Sequence, residues 1–298
     1  MKRLLSVFVL LSHALFASYL VVGDSNNLLT PNDGDIILNP ITIAFSNLEV
    51  SSTNRYMDIP IYVKSDSLEA ITMKMSNITA LTQGGDYINL TLSYRGNSIT
   101  SDVPFTLMNE GEGGRDGNMV IGNIRVHIPS VDPAQTYGNY VTKIDMELSS
   151  TPYASRPINY LSISADVPLV AVAGFDLVSS YTSGQHFLDT TLSYGAFSLN
   201  QKNSIEKPLF IKSNSHQDFK ISFDTTALIS QVDSNYKIPL YYYFNNNPFV
   251  NNHSFLALSG KNKGEQRIGI IKFETERISN SLIAGSYEAT INVTISLE

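Results

Sequence analysis

The sequence AGSYEATINVTISLE, residues 284–298, alternates apolar and polar side chains. A period of two is typical of an extended strand with one face buried against a core. The face predicted to be buried comprises Tyr287, Ala289, Ile291, Val293, Ile295 and Leu297. The given sequence stops at Glu298, directly after this strand. We therefore expect one edge of the strand to keep unpaired backbone donors and acceptors, to which a strand of another chain can add.

The same strand pattern occurs earlier in the chain, within a longer repeat. Four pairs of segments recur in one order and at nearly one spacing: 60–75 with 208–223, 90–97 with 238–245, 121–126 with 268–273, and 138–149 with 285–296. In the last pair GNYVTKIDMELS aligns with GSYEATINVTIS without a gap. The sequence therefore predicts two copies of one domain, each of ordinary single-core size.

The rest of the chain consists of short extended segments separated by turn residues, without a sustained helical period. This spacing is typical of β-sandwiches, so we predict an all-β protein with two tandem sandwiches. Residues 192–199 (LSYGAFSL) parallel 41–48 (ITIAFSNL) and are predicted as a strand of the second copy. Residues 158–178 have no counterpart, and either complete the first sandwich as an added strand or connect the two.

Composition excludes several classes of function. Of 298 residues 16% are charged, the net charge is −7, and no cluster of Lys and Arg follows residue 3, which disfavours nucleic acid as a partner. Without cysteine the chain has neither thiolate catalysis nor zinc–sulfur sites. The histidines show no metal-ligand spacing, and no nucleophile motif is present, so we predict no catalytic residues, no metal, no cofactor and no enzymatic activity. The acidic segment 109–118 is predicted to be a solvated hairpin tip rather than a calcium loop.

The N-terminus has the features of an export signal. Lys2 and Arg3 precede the apolar run 4–11, and Leu15 and Ala17 fit a signal-peptidase site. We predict a signal peptide over 1–17, with a poorly buried N-terminal helix as the alternative. The apolar run is too short to span a bilayer.

These features together resemble one protein family. A signal peptide, β-sandwich patterning and a closing strand that begins Gly-x-Tyr are similar to subunits of the chaperone–usher pili of Gram-negative bacteria, of the alternate (α-type) or archaic branch. The resemblance implies immunoglobulin-like sandwiches, the C-terminal one lacking its final strand. It further implies that the six apolar residues of the closing strand line an acceptor groove and that Glu298 contacts a periplasmic chaperone.

The resemblance also implies a location and a position in the fibre. Implied partners are the chaperone, an outer-membrane usher and other pilus subunits, with export through the periplasm to the cell surface. Two-domain members are usually tip subunits, which gives a signal peptide (1–17), an N-terminal sandwich that is a candidate adhesive domain (18–157), a connector (158–178) and a pilin-like sandwich (179–298). The apolar segment 19–22 is a poor donor strand, which favours the tip; if it does donate, the chain is a shaft or minor subunit.

A possible recognition loop lies in the segment 241–253, YYYFNNNPFVNNH. Aromatic rings and amides are typical of recognition surfaces. The candidate residues are Tyr241, Tyr243, Asn246, Phe249 and Asn252. The alternative is a core strand with Leu240, Tyr242 and Phe244 inward, followed by an ordinary turn. The alternative function for the whole chain is a stand-alone secreted β-sandwich that binds carbohydrate or protein and does not polymerise.

Overall fold

A computed structural model describes residues 20–24, 28, 36–65, 69–112, 115–133, 135–150, 156–178, 180–249, 255–258 and 264–297. These residues form strands, turns and irregular segments, which confirms the predicted all-β class. None of them belongs to a helix able to cross a membrane. The predicted signal peptide, together with Asn252 and Glu298, lies outside the described residues.

The described residues of the first copy form thirteen strands, β1–β13, in two sheets. One sheet has the order β2-β1-β4-β11-β8-β9, and the other has the order β10-β5-β12-β13-β3 with the hairpin β6–β7 beside β12. Alternate residues of both sheets point into one shared hydrophobic core, which is the arrangement of a β-sandwich. The strands are β1 (Leu20–Gly23), β2 (Ile36–Leu38), β3 (Ile41–Phe45), β4 (Thr53–Ser65), β5 (Ile71–Ser76), β6 (Leu81–Gln83), β7 (Asp86–Ile88), β8 (Thr91–Tyr94), β9 (Asn97–Ser98), β10 (Phe105–Met108), β11 (Arg115–Ser130), β12 (Gly138–Ser150) and β13 (Ile158–Val167).

The second copy consists of the strands β14–β24. Its larger sheet has the order β15-β14-β16-β22-β19-β18-β23, with β20 beside β19, and its smaller sheet has the order β21-β17-β24. The strands are β14 (Val170–Gly174), β15 (Gly184–Phe187), β16 (Ser204–Ser213), β17 (Phe219–Phe223), β18 (Ala227–Ser230), β19 (Lys237–Phe244), β20 (Asn247–Phe249), β21 (Phe255–Leu258), β22 (Gly264–Thr275), β23 (Tyr287–Glu288) and β24 (Val293–Leu297).

The sequence repeat is also a repeat of strand register. In the first copy Met146 and Leu148 of β12 lie opposite Met75 and Met73 of β5. In the second copy their counterparts on β24, Val293 and Ile295, lie opposite the counterparts Phe223 and Ile221 on β17. Each residue of one copy can therefore be matched with a residue of the other along these strands.

The Gly-x-Tyr motif has the same structural role in both copies. Gly138 and Gly285 have φ angles of 129° and 143°, a region that side chains with a Cβ rarely adopt. Two residues later, the Tyr140 hydroxyl donates to the Thr136 carbonyl at 2.8 Å, and the Tyr287 hydroxyl donates to the Ile283 carbonyl at 3.0 Å. This tyrosine corner fixes the entry into the closing strand of an immunoglobulin-like sandwich.

The segment 158–178 divides between the two copies. Its first part, β13, pairs antiparallel with β12 and parallel with β3. Its second part, β14, pairs with β15 and β16 of the second copy. β14 is buried on both faces, with Val170 and Val172 in the core of the first copy and Ala171 and Ala173 in that of the second. The strand therefore belongs to the sheet of the second copy and joins the two cores.

Candidate strand-acceptor groove

In the first sandwich, the middle of β12 and all of β3 depend on pairing with β13. Residues 142–144 in the middle of β12 pair with β13, whereas the pairing of β12 with β5 begins at Asp145 and that with β6 involves Val141. β3 likewise has β13 as its partner strand. β13 thus supplies the backbone hydrogen bonds that hold both the middle of β12 and β3 in extended form.

The closing segment of the second copy is interrupted at the matching place. The prediction of one continuous strand over 284–298 is wrong, because the structure has β23 and β24 with residues 289–292 irregular between them. These residues match 142–145 of β12, most of which pair with β13 alone, and no counterpart of β13 occurs in the described part of the second copy. Without such a neighbour, the backbone of residues 289–292 has no strand on that side with which to pair.

A second segment also differs from its prediction, and for the same reason. Residues 192–199, predicted as a strand by their likeness to 41–48, form no strand in the structure. Their first-copy counterpart includes β3, which is held in the sheet by β13. Both irregular segments therefore flank the position that β13 occupies in the first copy.

A long groove lies between these two segments. Its volume is about 1380 Å³, above the ~300–1,000 Å³ typical of small-molecule pockets. One wall is residues 187–197 and the other is 282–293, while the floor includes Phe175, Phe223 and Phe273. Of the six residues predicted to line an acceptor groove, four line this groove: Tyr287, Ala289, Ile291 and Val293. Ile295 and Leu297 lie further along β24, where it pairs with β17.

The groove leaves a strip of the second core uncovered. In the first copy Tyr140, Ile144 and Met146 are 0% exposed, whereas their counterparts Tyr287, Ile291 and Val293 are all partly exposed. The buried residues of the first copy form one cluster, but those of the second form two, a larger one around Phe223, Tyr242 and Phe273 and a smaller one of Leu228, Ile238 and Ile278. Residues of both clusters line the groove, so a strand placed in it covers both.

Polar groups on the two walls of the groove differ in their hydrogen bonding. The Tyr194 hydroxyl, on the first wall, is inaccessible to solvent and has no hydrogen-bond partner among the described residues. On the second wall the Asn292 side-chain amide donates to Asp224 at 2.6 Å, and this bond holds the pKa of the Asp224 carboxyl below its usual value. Side chains of the β17–β18 turn thus hold residues 290–292, with the Thr225 hydroxyl donating to the Thr290 carbonyl at 2.7 Å.

The possible recognition loop is largely strand in the structure. Tyr241 and Tyr243 lie on β19, and their hydroxyls donate to Glu276 at 2.6 Å and Glu274 at 3.3 Å. Between them Tyr242 is buried and stacks on Phe223. Within the described residues only the turn that carries Asn246 separates β19 from β20, on which Phe249 lies. Tyr241 and Tyr243 therefore share an outer sheet face with charged residues.

No protein-family model matches the chain, and no curated protein matches its sequence. Similar solved structures include chaperone–usher pilus adhesins and a pilin, at low identity. A chain of the CsuC–CsuE chaperone–tip adhesion subunit complex, from archaic Csu pili of Acinetobacter baumannii, is 12% identical over 87% of this chain and 98% of that chain, with a TM-score of 0.48. The CupB6 tip adhesin of Pseudomonas aeruginosa is 10% identical over 84% and 88%, with a TM-score of 0.38. The CooA pilin of enterotoxigenic Escherichia coli is 15% identical over 43% and 90%, with a TM-score of 0.33.

Sequence reasoning located one wall of the groove and missed the other. The missed wall carries Phe187, Leu192, Tyr194 and Phe197, and the floor residue Phe175 was also not foreseen. The available signal was the match of 192–199 with 41–48, which marks this segment as the neighbour of an added strand.

Proposed function

We propose that the chain is a structural or adhesive subunit of a chaperone–usher surface pilus, and that its second copy is completed by a strand from another polypeptide. In this proposal a periplasmic chaperone fills the groove first, and a neighbouring pilus subunit replaces it during assembly at an outer-membrane usher. The assembled protein is exposed at the cell surface, and the first copy, complete in itself, is available for adhesion.

The proposal rests on a comparison of the two copies at the position that β13 occupies in the first copy. Both walls of the groove are extended in the first copy, where β13 lies between them, and irregular in the second copy, where no described strand does. An incoming strand supplies backbone donors and acceptors to both walls and covers the exposed apolar strip at the same time.

The pairing and burial of β1 support a position at the tip. This strand lies inside its own sheet, paired with β2 on one side and β4 on the other. Val21 and Val22 are fully buried. A strand used in this way is not free to fill the groove of another subunit, as a shaft subunit's donor strand must.

The proposal is tested with fusions that offer the groove a strand. The native-order fusion adds, after Glu298, a flexible linker as long as segment 151–157 and the sequence of β13, INYLSISADV. The polar-control fusion carries INYSSSSADS, in which the inward Leu and both inward β-branched residues are replaced by Ser. Each fully buried Leu, Ile or Val contributes about 1.5–3 kcal/mol, so a fitted strand should stabilise the second copy by several kcal/mol despite its ordering cost.

The readout is the melting temperature of each full-length fusion and of the unfused chain. We expect the native-order fusion to raise the Tm of the second copy by roughly 10 °C. The polar-control fusion should leave it unchanged. Equal Tm values for all three proteins would instead support the alternative, a stand-alone β-sandwich that does not take up a strand.

A further inference from the structure

We infer that the subunit that donates the strand also docks its folded body on the second copy, at an exposed apolar surface where the groove ends. This inference rests on the proposed function, because it concerns the same partner. It goes further in assigning a second interaction surface, which the strand alone does not cover. We call this surface the second-copy pole, and it comprises Leu199, Val232, Leu282, Ile283 and Ala284.

The contact between the two copies of this chain is the template for that docking. Two residues after β13, the strand that completes the first sandwich, β14 opens the second copy. Alternate residues of β14 and Val178 lie in the core of the first copy, and Leu188 and Phe210 of the second copy pack against that core. A strand that completes one sandwich is therefore followed directly by a sandwich that packs on the same unit.

Two loops at one end of the first copy receive the second copy. In the loop before β12, the Tyr137 amide donates to the Asn214 carbonyl at 3.1 Å, and the Thr136 hydroxyl oxygen lies 3.1 Å from Nε2 of His216. At the β6–β7 turn, a carboxylate oxygen of Asp86 lies 3.8 Å from the same ring nitrogen. Both loops therefore face the second copy.

The second-copy pole is built from the counterparts of these two loops. The match of the closing strands places Ile283 and Ala284 where Thr136 and Tyr137 lie in the first copy. β18 and the start of β19 lie beside β23 as the β6–β7 hairpin lies beside β12, so the turn that carries Val232 matches the β6–β7 turn. The pole thus occupies the position at which the first copy contacts its neighbour.

At a third point the copies share a backbone hydrogen bond but differ in burial. The amide after Val50 donates to the Val131 carbonyl at 3.1 Å, and the amide after Leu199 donates to the Ile278 carbonyl at 2.8 Å. Val50 is 1% exposed, as is Leu48, which matches Leu199 in the sequence, whereas Leu199 is 61% exposed. An apolar position that is covered in the first copy is therefore open in the second.

The chemistry of the pole indicates the kind of surface that covers it. Val232 is 70% exposed and lies against Gly285, next to Ala284, while Leu199 lines the same end of the groove as Leu282 and Ile283. A group of exposed apolar side chains beside a binding groove is typical of a protein–protein contact. The partner is therefore a sandwich whose first strand closely follows the donated strand and presents aliphatic side chains outward, as β14 does.

The test extends the chain by its own second copy. In the three-copy chain, residues 151–298 are repeated after Glu298, which offers the groove a strand and the pole a folded body. The native-order fusion, which offers the strand alone, is the comparison. Because the chain has no cysteine, the substitution Val232→Cys reports the pole through its rate of thiol labelling, and Ile158→Cys, also at a site that is 70% exposed, is the matched control.

We expect Val232→Cys to be labelled at least about tenfold more slowly in the three-copy chain than in the native-order fusion, because a docked body excludes the reagent. Ile158→Cys should be labelled equally in both. Adding Leu199→Asp places a charge in the docked surface, so it should return the labelling of Val232→Cys to the rate seen in the native-order fusion.

The possible failures of the inference and of the proposed function are distinguishable. Equal labelling of Val232→Cys in the two proteins, with slow amide exchange at 289–291 in both, would overturn the docking surface and leave strand uptake intact. Fast exchange at 289–291 in both would contradict the proposed function. Labelling that slows as the concentration of the unextended chain rises would show that the pole contacts a second copy of the chain, and would overturn the inferred partner.

Discussion

Ile144 and Ile291 occupy the same position of the two copies but differ in what covers them, so truncating each to alanine gives a matched pair of variants. Ile144 is 0% exposed and lies opposite Leu161 of β13. Ile291 is partly exposed and lines the open groove. The same chemical change should therefore have different costs.

The magnitudes follow from the burial of each side chain. Ile144→Ala leaves a cavity in a closed core and should cost about 2–5 kcal/mol of unfolding free energy. Ile291→Ala only enlarges a space that is already open, so the cavity contribution is absent. The loss of partly buried apolar surface should cost about 1 kcal/mol. In the native-order fusion the groove is covered, and Ile291→Ala should then cost as much as Ile144→Ala.

The assay is urea denaturation followed by far-UV circular dichroism, with amide exchange at 138–150 and 285–297 to identify which copy unfolds. Each variant is compared with its own parent, unfused or fused. Equal losses from Ile144→Ala and Ile291→Ala in the unfused chain would refute the reasoning, because they would mean that both side chains are equally covered.

Two further predictions concern the junction between the copies and the segment between β10 and β11. These two strands lie in different sheets, so the prediction of a hairpin tip over 109–118 is wrong and the segment connects the two sheets. Asn214 donates to the Pro168 carbonyl at 2.9 Å and accepts from the Val170 amide at 2.7 Å, so Asn214→Ala should cost about 1–3 kcal/mol and speed amide exchange around 168–171. Donation by the backbone and side-chain amides of Asn109 lowers the pKa of Glu112 from 4.5 to about 2. Its stabilising contribution is complete above pH 4.5 and is lost as the pH falls towards 2, so Glu112→Gln should flatten the acid-induced fall in Tm over that range.

The repeat and the class of fold could be predicted from sequence because both depend on local signals. Alternation marks the strands, and the Gly-x-Tyr motif marks the entry to each closing strand, where Gly138 and Gly285 take positive φ angles. These signals require no knowledge of which strands become neighbours. The all-β class, the matched register and one wall of the groove therefore followed from the residues.

The interruptions in the second copy could not be predicted in the same way. Residues 289–292 alternate as regularly as 142–145, and 192–199 are as apolar as their counterpart, yet neither segment is a strand. Extended structure needs a partner with which to form backbone hydrogen bonds, and alternation does not say whether that partner exists. Both segments border the position of the missing strand, so the errors in prediction fall at the candidate site.

The apolar run of β14 presents a different ambiguity. Its five residues are buried on both faces, and such runs do not show from sequence which core they join. In the structure, alternate residues of β14 lie in different cores: Val172 lies in the core of the first copy and Ala173 in that of the second. Only the tertiary arrangement distinguishes a strand shared in this way from a spacer.

Amide hydrogen exchange of residues 289–291 tests the central claim most directly, since these residues lack a partner strand if the groove is open. In the unfused chain we predict fast exchange at 289–291 and slow exchange at the matching residues 142–144, with both segments slow in the native-order fusion. Protection of 289–291 in the unfused chain equal to that of 142–144 would show that the second sandwich is already closed, and would contradict completion by another polypeptide.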